Sequence, residues 1–256
     1  MTAASAPRPV VQSVDRACRL LGVLRTTPDD GLSALELARL TGIDRTAVHR
    51  LLQTLLANGV VEVRGSRYRL GPQTLVLGNA YLARLGIREV LPYALDLQEL
   101  LGRDNPWTVS LSVPTGDEVM IVDRVWGSRT PLDMILDIGT SLPIDSSASG
   151  RAMLAHLPPD EVTDLLGSER AAGVVARLNQ IRSADGLSLA RNELRPGVSA
   201  IAAALLDESG RPKGALILAG LELDAQAVPD SPVAGHVLRT AQRISHHFAG
   251  NRSQSK

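Results

Sequence analysis

The stretch LARLTGIDRTAVHRLLQTLLANG, residues 37–59, decides the fold of the N-terminal part of the chain. Its second half carries apolar residues at positions i, i+3, i+4, i+7 and i+8, which form one stripe on an α-helix. These residues are Val48, Leu51, Leu52, Leu55 and Leu56. Gly42 ends the preceding helix and Asp44 caps the next, because glycine adopts positive φ easily and aspartate accepts hydrogen bonds from free amides. Two short helices joined by a tight turn predict a helix-turn-helix.

The segments on either side extend this motif. Ser33 and Glu36 form a capping box at the start of the first helix of the motif, to which Leu35, Leu37, Ala38 and Leu40 add apolar contacts. Upstream, residues 11–26 predict an amphipathic helix from apolar residues at helical spacing. These residues are Val14, Ala17, Leu20, Leu21 and Leu24. Downstream of Gly59, VVEV and YRL flank the turn RGS and predict a β-hairpin. A hairpin that directly follows the second helix of such a motif, the recognition helix, is called a wing.

The outward face of the second helix of the motif carries residue types that contact bases and phosphates. These are Arg45, Thr46, His49, Arg50 and Gln53. We expect Arg45, Thr46, His49 and Arg50 to bind DNA; for His49, a contact within the domain is an equally open alternative. In the wing, Arg64, Arg67 and Arg69 lie at or near the tip, and Arg67 is expected to contact a phosphate.

The distribution of charge agrees with a DNA-binding N-terminus. The whole chain has 27 basic and 27 acidic residues, but the first 75 residues hold ten basic and six acidic ones, a difference of +4. All ten are arginines, which suit phosphates and guanine edges. The basic end is therefore expected to attract a polyanion, and the remainder, at −4, is not.

Composition excludes several classes of protein. The chain contains no run of about eighteen apolar residues, so no transmembrane helix is expected. Its first ten residues, MTAASAPRPV, lack the apolar core of a signal peptide. A cytoplasmic location is the default expectation. The single cysteine, Cys18, rules out an internal disulfide and is expected to be a buried helical residue.

The second half of the chain predicts an α+β domain. Helices are expected over residues 72–86 and 87–102, followed by the strand pair TVSLSV and EVMIVDRV around PTGD, and by a third strand over residues 132–138. SASGRAMLAHL, PPDEVTDLL and residues 171–183 predict helices. GVSAIAAALL and KGALILAGLEL form a second hairpin, and residues 232–248 a final helix. Antiparallel hairpins flanked by helices are typical of an α+β fold.

The chain resembles the IclR family of regulators from about Val11 to Phe248. The resemblance is carried by the order and spacing of several stretches rather than by any one of them. These are VQSVDRACRLLGVL, LARLTGIDRTAVHRLLQTLLANGVV, YRLGPQTLVLG, VSLSVPTGDEVMIVDRV, GTSLPIDSSASGRAMLA and ELRPGVSAIAAALLDESGRPKGALILAG.

The resemblance implies a domain scheme and partners. It implies a winged helix-turn-helix (11–71), a linker helix (72–87) and a GAF-like effector-binding domain (88–250). The Pro/Ala-rich start predicts a disordered arm (1–10), and residues 251–256 are expected to form a disordered tail. The resemblance further implies homodimers or dimers of dimers, binding to operator DNA as a repressor or activator, and control by an organic or aromatic acid.

The resemblance also places the effector site. The loop from Ser146 to Gly150, at the start of a helix, lies where family members bind a carboxylate, which amides at a helix start favour. The candidate effector-binding residues are Ser146, Ser147, Ala148, Ser149, Gly150, Ala200, Ile217 and Ala219.

Several positions depart from the family pattern. Asp145 replaces a histidine, Arg151 replaces a lysine, and Ala204 replaces a proline. Positions that are often polar in relatives are apolar here, among them Ala190, Ala200, Ile217 and Ala219. We therefore expect an effector with an anionic head and an apolar or aromatic body.

Catalysis is not expected. SSASG, residues 146–150, is not a nucleophile elbow, and no dinucleotide fingerprint or phosphate loop occurs, so no cofactor is expected. His246 and His247 face different ways on a helix, which argues against a metal site. The alternative is an enzyme or metabolite-binding α+β domain whose small helical module only dimerises.

Overall fold

The computed structural model describes residues 10–27 and 30–250, apart from the side chains of Ile87 and Arg88. Two compact units divide the chain, the first ending at Arg84 and the second beginning at Leu85. Residues 1–9 of the expected arm, and the expected tail, lie outside the described residues. Within the described ranges, no helix combines the length and apolar character needed to cross a membrane.

The first unit contains a helix-turn-helix followed by a β-hairpin. Its helices are α1 (Gln12–Arg25), α2 (Ala34–Thr41) and α3 (Arg45–Ala57), and α4 (Gln73–Leu85) follows the hairpin. Its strands are β1 (Leu32–Ser33), β2 (Val61–Arg64) and β3 (Arg67–Leu70). They pair antiparallel in the order β1-β3-β2, so the short β1 ties the start of the motif to the wing.

The predicted caps are present. Ser33 and Glu36 form the capping box: the Ser33 amide donates to Glu36 Oε2 at 2.7 Å, and the Glu36 amide donates to Ser33 Oγ at 3.3 Å. Gly42 ends α2 with φ of 67°, a left-handed conformation that glycine adopts without strain. The caps fix where α2 starts and stops, and so fix the angle at which α3 leaves the turn.

The core of the first unit uses a narrower face of each helix than the sequence predicts. Its buried residues are Leu20, Leu24, Leu37, Ile43, Val48, Leu52 and Val61. Only the C-terminal half of α1 packs into this core, so Val14 is 59% exposed and Cys18 is exposed as well. The expected burial of Cys18 is therefore wrong, and so is the expected apolar contact of Leu40, which is 63% exposed at the end of α2.

The second unit is a six-stranded antiparallel sheet with helices packed on it, and the fold class is α+β as predicted. The strands run in the order β6-β5-β4-β9-β8-β7. They are β4 (Trp107–Thr115), β5 (Glu118–Trp126), β6 (Ser141–Pro143), β7 (Leu187–Arg191), β8 (Ser199–Leu206) and β9 (Pro212–Gly220). The helices are α5 (Ile87–Leu100), α6 (Ala148–Leu154), α7 (Pro159–Leu166), α8 (Ser168–Ser183) and α9 (Pro232–Gly250).

Strand β8 shows why this part of the sequence is almost continuously apolar. Ala202 packs with Ala148 and Ala152 of α6, whereas side chains one position along the strand point to the opposite face. Both faces of β8 are covered, since α6 and α9 each contact it. The small residues on the α6 side allow that helix to approach the sheet closely.

Two features of the second unit differ from the sequence-based expectation. Residues 132–138 do not form a strand; they begin with a 3-10 turn at Leu132–Met134, and the third strand is β6. The apolar side chains of Met134 and Leu136 line a cavity instead of joining the sheet. Strand β7, which the sequence analysis does not predict, forms the edge beside β8.

Loss of the capping box should destabilise the first unit. Ser33→Ala removes the hydroxyl that accepts from the Glu36 amide, and we expect the free energy of unfolding to fall by about 1 kcal/mol. Urea denaturation followed by circular dichroism measures this. The matched control is Ser66→Ala in the exposed wing turn, which should change the free energy by less than about 0.5 kcal/mol. Equal effects of the two substitutions would contradict the role of the cap.

Candidate nucleic-acid interface and ligand cavity

One face of α3 is exposed and carries the residues predicted to bind DNA. Arg45, Thr46, His49 and Arg50 are all exposed, and they follow one another at helical spacing. The opposite face is buried through residues such as Val48. The structure therefore brings the four candidates together on a single surface of one helix.

The start of α3 is held by Asp44. Its Oδ1 accepts hydrogen bonds from the amides of Thr46 at 2.8 Å and Ala47 at 3.2 Å. Hydrogen bonds from the backbone amides of Ala47 and Thr46 hold the pKa of the Asp44 carboxyl below its usual range. The carboxylate is therefore ionised at neutral pH, which fixes the first turn of the helix and the direction of Arg45.

The structure gives Arg67 a place within the unit. Its Nε donates to the carbonyl oxygen of Gly31 at 3.0 Å, and Nη2 lies 3.5 Å from Glu36 and 3.6 Å from Asp30. The guanidinium thus joins β3 to the turn before α2. A contact of Arg67 with a phosphate would require these interactions to break.

The other two wing arginines differ from each other. Arg69 pairs with Glu62 across the hairpin, so its charge is balanced locally. Arg64 lies directly opposite Arg67 in the β2–β3 register and is exposed. No acceptor for Arg64 is found among residues 10–27 and 30–250. The sequence does not distinguish Arg64 from the other two wing arginines as a DNA contact. The partners that hold Arg67 and Arg69 arise from tertiary contacts, which no local pattern shows.

A cavity opens in the second unit between the sheet and the start of α6. Its volume is about 1040 Å³, counting the open mouth. Strands β4, β5, β8 and β9 form one wall, and the loops at residues 130–136 and 193–198 form the rim. The lining residues are Thr108, Ser110, Ile121, Thr130, Met134, Leu136, Leu142, Ser147, Ala148, Ser149, Ala190, Glu193, Leu194, Arg195, Val198, Ala200, Ile217, Ala219 and Gly220.

Six of the eight candidate effector residues line this cavity. They are Ser147, Ala148, Ser149, Ala200, Ile217 and Ala219. Ser146 and Gly150 do not line it. The carbonyl oxygen of Ser146 accepts from Arg151 Nη1 at 2.7 Å, and the Gly150 amide donates to Ser147 Oγ at 3.1 Å. These two residues hold the start of α6 rather than face the cavity.

Gly150 allows an unusually close contact between α6 and the chain before it. A β-carbon at this position would lie 2.0 Å from the carbonyl oxygen of Ile144, which no side chain tolerates. The backbone of α6 therefore rests on Ile144, which is itself buried. This contact places Ser147 and Ser149 on the wall of the cavity.

Several polar residues of the cavity are not among the candidates predicted from the sequence. Thr108 and Ser110 alternate with apolar residues along β4, a pattern that places both on one face and was available in the sequence. Glu193 and Arg195 lie in the loop between β7 and β8, and no local pattern marks them. Arg195 spans the rim, since its Nη1 donates to the carbonyl oxygen of Asp133 at 2.9 Å.

Asp145 does not belong to the cavity wall, contrary to the expectation that its departure from the family pattern alters the pocket. Its Oδ2 accepts from Arg170 Nε at 2.7 Å, while Arg170 Nη1 donates to Asp117 Oδ2 at 2.8 Å. The hydrogen bond from Arg170 lowers the pKa of the Asp145 carboxyl and, likewise, that of Asp117. Arg170 thereby joins the β4–β5 turn to the segment that leads into α6.

The cavity combines a largely apolar wall with hydroxyl groups and two charged residues at the rim. No cluster of three or more metal-ligating side chains occurs in the described part of the chain. The arrangement suits reversible binding of a small molecule with an apolar body and a polar head.

Family models match most of the chain. The model described as the IclR helix-turn-helix domain matches residues 13–65, and the one described as the bacterial transcriptional regulator IclR C-terminal matches residues 79–246. Among curated proteins, the chain is 32% identical to the HTH-type transcriptional regulator Rv1719 of Mycobacterium tuberculosis. That match covers 94% of this chain and 93% of the relative.

Solved structures show the same fold. The chain resembles HmgR of Pseudomonas aeruginosa with a TM-score of 0.75 and 27% identity, covering 93% of this chain and 100% of that one. It also resembles an IclR homolog from Microbacterium hydrocarbonoxydans, solved in complex with 4-hydroxybenzoate. For that pair the TM-score is 0.76 and the identity 20%, covering 92% of this chain and 98% of the other.

The contact at Gly150 predicts opposite effects of two glycine substitutions. Gly150→Ala should lower the free energy of unfolding of the second unit by about 1–3 kcal/mol, because the added methyl group overlaps Ile144. Gly173→Ala, at an exposed position of α8 in the same unit with open space around it, should be neutral or stabilising by up to about 1 kcal/mol. Differential scanning calorimetry distinguishes the two. An unchanged transition in Gly150→Ala would contradict the close contact.

Proposed function

The chain belongs to the IclR family of bacterial transcriptional regulators, and we propose that it binds operator DNA through α3 and the wing under control of a small carboxylic acid. The DNA-binding domain is the first unit and the effector-binding domain the second. We further propose that the effector is an organic or aromatic acid, and we propose roles for individual residues below.

The exposed cationic face of α3 is the observation that carries the DNA-binding proposal. Arg45 and Arg50 lie on it with no acidic partner among the residues that the structure describes, whereas Arg67 and Arg69 are paired. A helix of this type enters the major groove with its N-terminal residues towards the bases. We assign base and phosphate contacts to Arg45, Thr46, His49 and Arg50.

In the wing, Arg64 replaces Arg67 as the proposed phosphate contact. Arg64 is exposed, while Arg67 is held by Gly31 and two carboxylates. Like charges directly opposite each other in a hairpin repel, and the carboxylates near Arg67 relieve that repulsion. Arg67 therefore shapes the wing and Arg64 reaches the DNA backbone.

The cavity supports an acid with an apolar or aromatic body as the effector. Ala190, Ala200, Ile217 and Ala219 supply an apolar wall, and the hydroxyls of Ser147 and Ser149 lie at the start of α6. The complex of a homologous fold with 4-hydroxybenzoate agrees with this class of ligand. Effector binding would shift the population of DNA-binding arrangements and so change operator affinity.

Exposed apolar residues support assembly of the proposed dimer. Val11, directly before α1, and Val14 on α1 are 64% and 59% exposed, and Leu75, Val76 and Leu77 on α4 are 66%, 56% and 58% exposed. Large apolar side chains in such number on two helices are typical of protein–protein contacts. A dimer would present two recognition helices to two operator half-sites.

Removing one arginine of α3 should weaken operator binding selectively. Arg50→Ala should weaken binding to the DNA upstream of the gene by about 5- to 150-fold, since one base or phosphate contact is worth about 1–3 kcal/mol. A gel shift measures this, and calorimetry with benzoate should show unchanged effector binding. Arg103→Ala, an exposed arginine of the second unit, is the matched control. Equal loss of DNA and benzoate binding would contradict the assignment.

The two wing arginines should respond differently. Arg64→Ala should reduce the slope of log affinity against log salt by about one, because one phosphate contact is lost. Arg67→Ala should lower the melting temperature of the first unit, because it breaks the link from β3 to Gly31 and Glu36. Fluorescence anisotropy at several salt concentrations and thermal melts compare them. A change of salt slope for Arg67→Ala without loss of stability would reverse the assignment.

A further inference from the structure

Two arginines share one carboxylate beside the cavity. Glu193, in the loop between β7 and β8, lies 2.6 Å from Nη2 of Arg151 on α6 and 3.3 Å from Nη2 of Arg177 on α8. Of these three residues, Glu193 alone lines the cavity. The carboxylate of Glu193 thus stands between the cavity and the two guanidinium groups.

Arg151 is buried with its hydrogen-bonding capacity only partly used. Its side chain is 6% exposed, and Nη1 donates to the carbonyl oxygen of Ser146. Nη2 faces Glu193 without the alignment of a hydrogen bond, and Nε has no acceptor in the described part of the chain. A buried guanidinium in this condition gains free energy from any carboxylate that aligns with it better.

The loop that carries Glu193 is closed at its base and open at its tip. Asn192 and Gly197 both have left-handed backbone conformations, with φ of 56° and 77°, and the Gly197 amide donates to Asn192 Oδ1 at 2.6 Å. The tip between them includes Glu193, whose side chain is 28% exposed, and Leu194, which is 48% exposed. The Glu193 side chain therefore has room to move without breaking the base of the loop.

The balance of charge at this end of the cavity favours an anion. Arg151 and Arg177 face one carboxylate, and Arg195 adds a third positive charge at the rim. A monocarboxylate that enters the cavity brings the counter-charge that this cluster lacks.

We propose that Glu193 occupies the place of the effector's carboxylate, and that an entering acid displaces Glu193 from Arg151. The effector's carboxylate then pairs with Arg151, and Glu193 remains with Arg177. The apolar body of the acid lies against the alanine-rich wall of β8 and β9. This inference rests on the proposed function, because it names the residue that receives the acid and the internal carboxylate that competes with it.

Neutralising Glu193 tests the exchange directly. Glu193→Gln removes the competing charge and leaves Arg151 without a counter-ion, so benzoate should bind about tenfold more tightly to the full-length chain. Isothermal titration calorimetry measures this. The uncharged isostere benzamide should show no gain. Glu161→Gln on α7, which breaks the exposed pair with Arg211, is the matched control and should leave benzoate affinity unchanged.

A second variant tests the exchange independently, in case Glu193→Gln does not fold. Arg177→Gln keeps the Arg151–Glu193 pair but removes the partner to which Glu193 moves, so benzoate should bind several-fold more weakly than to the wild type. Arg177→Gln should melt close to the wild type, whereas Glu193→Gln should melt at a lower temperature because the buried Arg151 loses its counter-ion, and saturating benzoate should restore much of that loss.

Two results would overturn the proposal. One is unchanged or weaker benzoate binding in Glu193→Gln, which would make Glu193 a supporting residue of the site. If the wild type still binds benzoate in that case, the exchange is wrong but the proposed acid effector is not contradicted. The other is an equal gain for benzamide, which would mean that Glu193 restricts space rather than competes as a charge. Absence of benzoate binding to both wild type and variant would overturn the exchange and the acid effector together, while operator binding tests the DNA-binding role separately.

Discussion

The contact between Gly150 and Ile144 is the constraint on which the effector-binding domain depends. Because Gly150 has no side chain, the start of α6 lies directly against the carbonyl of Ile144, a buried residue in the segment between β6 and α6. The alanines of α6 and β8 extend the same close approach along the helix. The cavity is the space left beside the small residues Ala190 and Ala219, and the loops at residues 130–136 and 193–198 form its rim.

Arginine serves different ends in the two domains. In the DNA-binding domain Arg45 and Arg50 of α3 are exposed, whereas Arg67 and Arg69 lie against carboxylates. In the effector-binding domain Arg151 is buried and Arg170 joins two loops through Asp117 and Asp145. A buried or bridging guanidinium needs carboxylate partners, and this need explains why Glu193 stands at the cavity.

Local signals in the sequence predict the fold well, and they predict part of the site. The capping box of Ser33 and the positive φ of Gly42 depend on residues a few positions apart, and the structure confirms both. The family resemblance predicts Ser147 and Ser149 as effector-binding residues, and both line the cavity. Long-range contacts are what the sequence does not show: the partners of Arg67 lie more than thirty positions away, and Glu193 meets Arg151 only after α6 packs on the sheet. For the same reason residues 132–138 form the rim of a cavity instead of the expected strand.

In the proposed function, an acid bound in the second unit changes the affinity of the first unit for DNA. A direct test measures both halves of this linkage on the full-length chain. One half is the affinity for the operator fragment with and without saturating benzoate, and the other is the affinity for benzoate with and without the fragment. Thermodynamic reciprocity requires that the acid and the DNA change each other's affinity by the same factor, and we expect a factor between about 5 and 150. Operator affinity that stays unchanged when the cavity is saturated with the acid would contradict the linkage between effector binding and DNA binding.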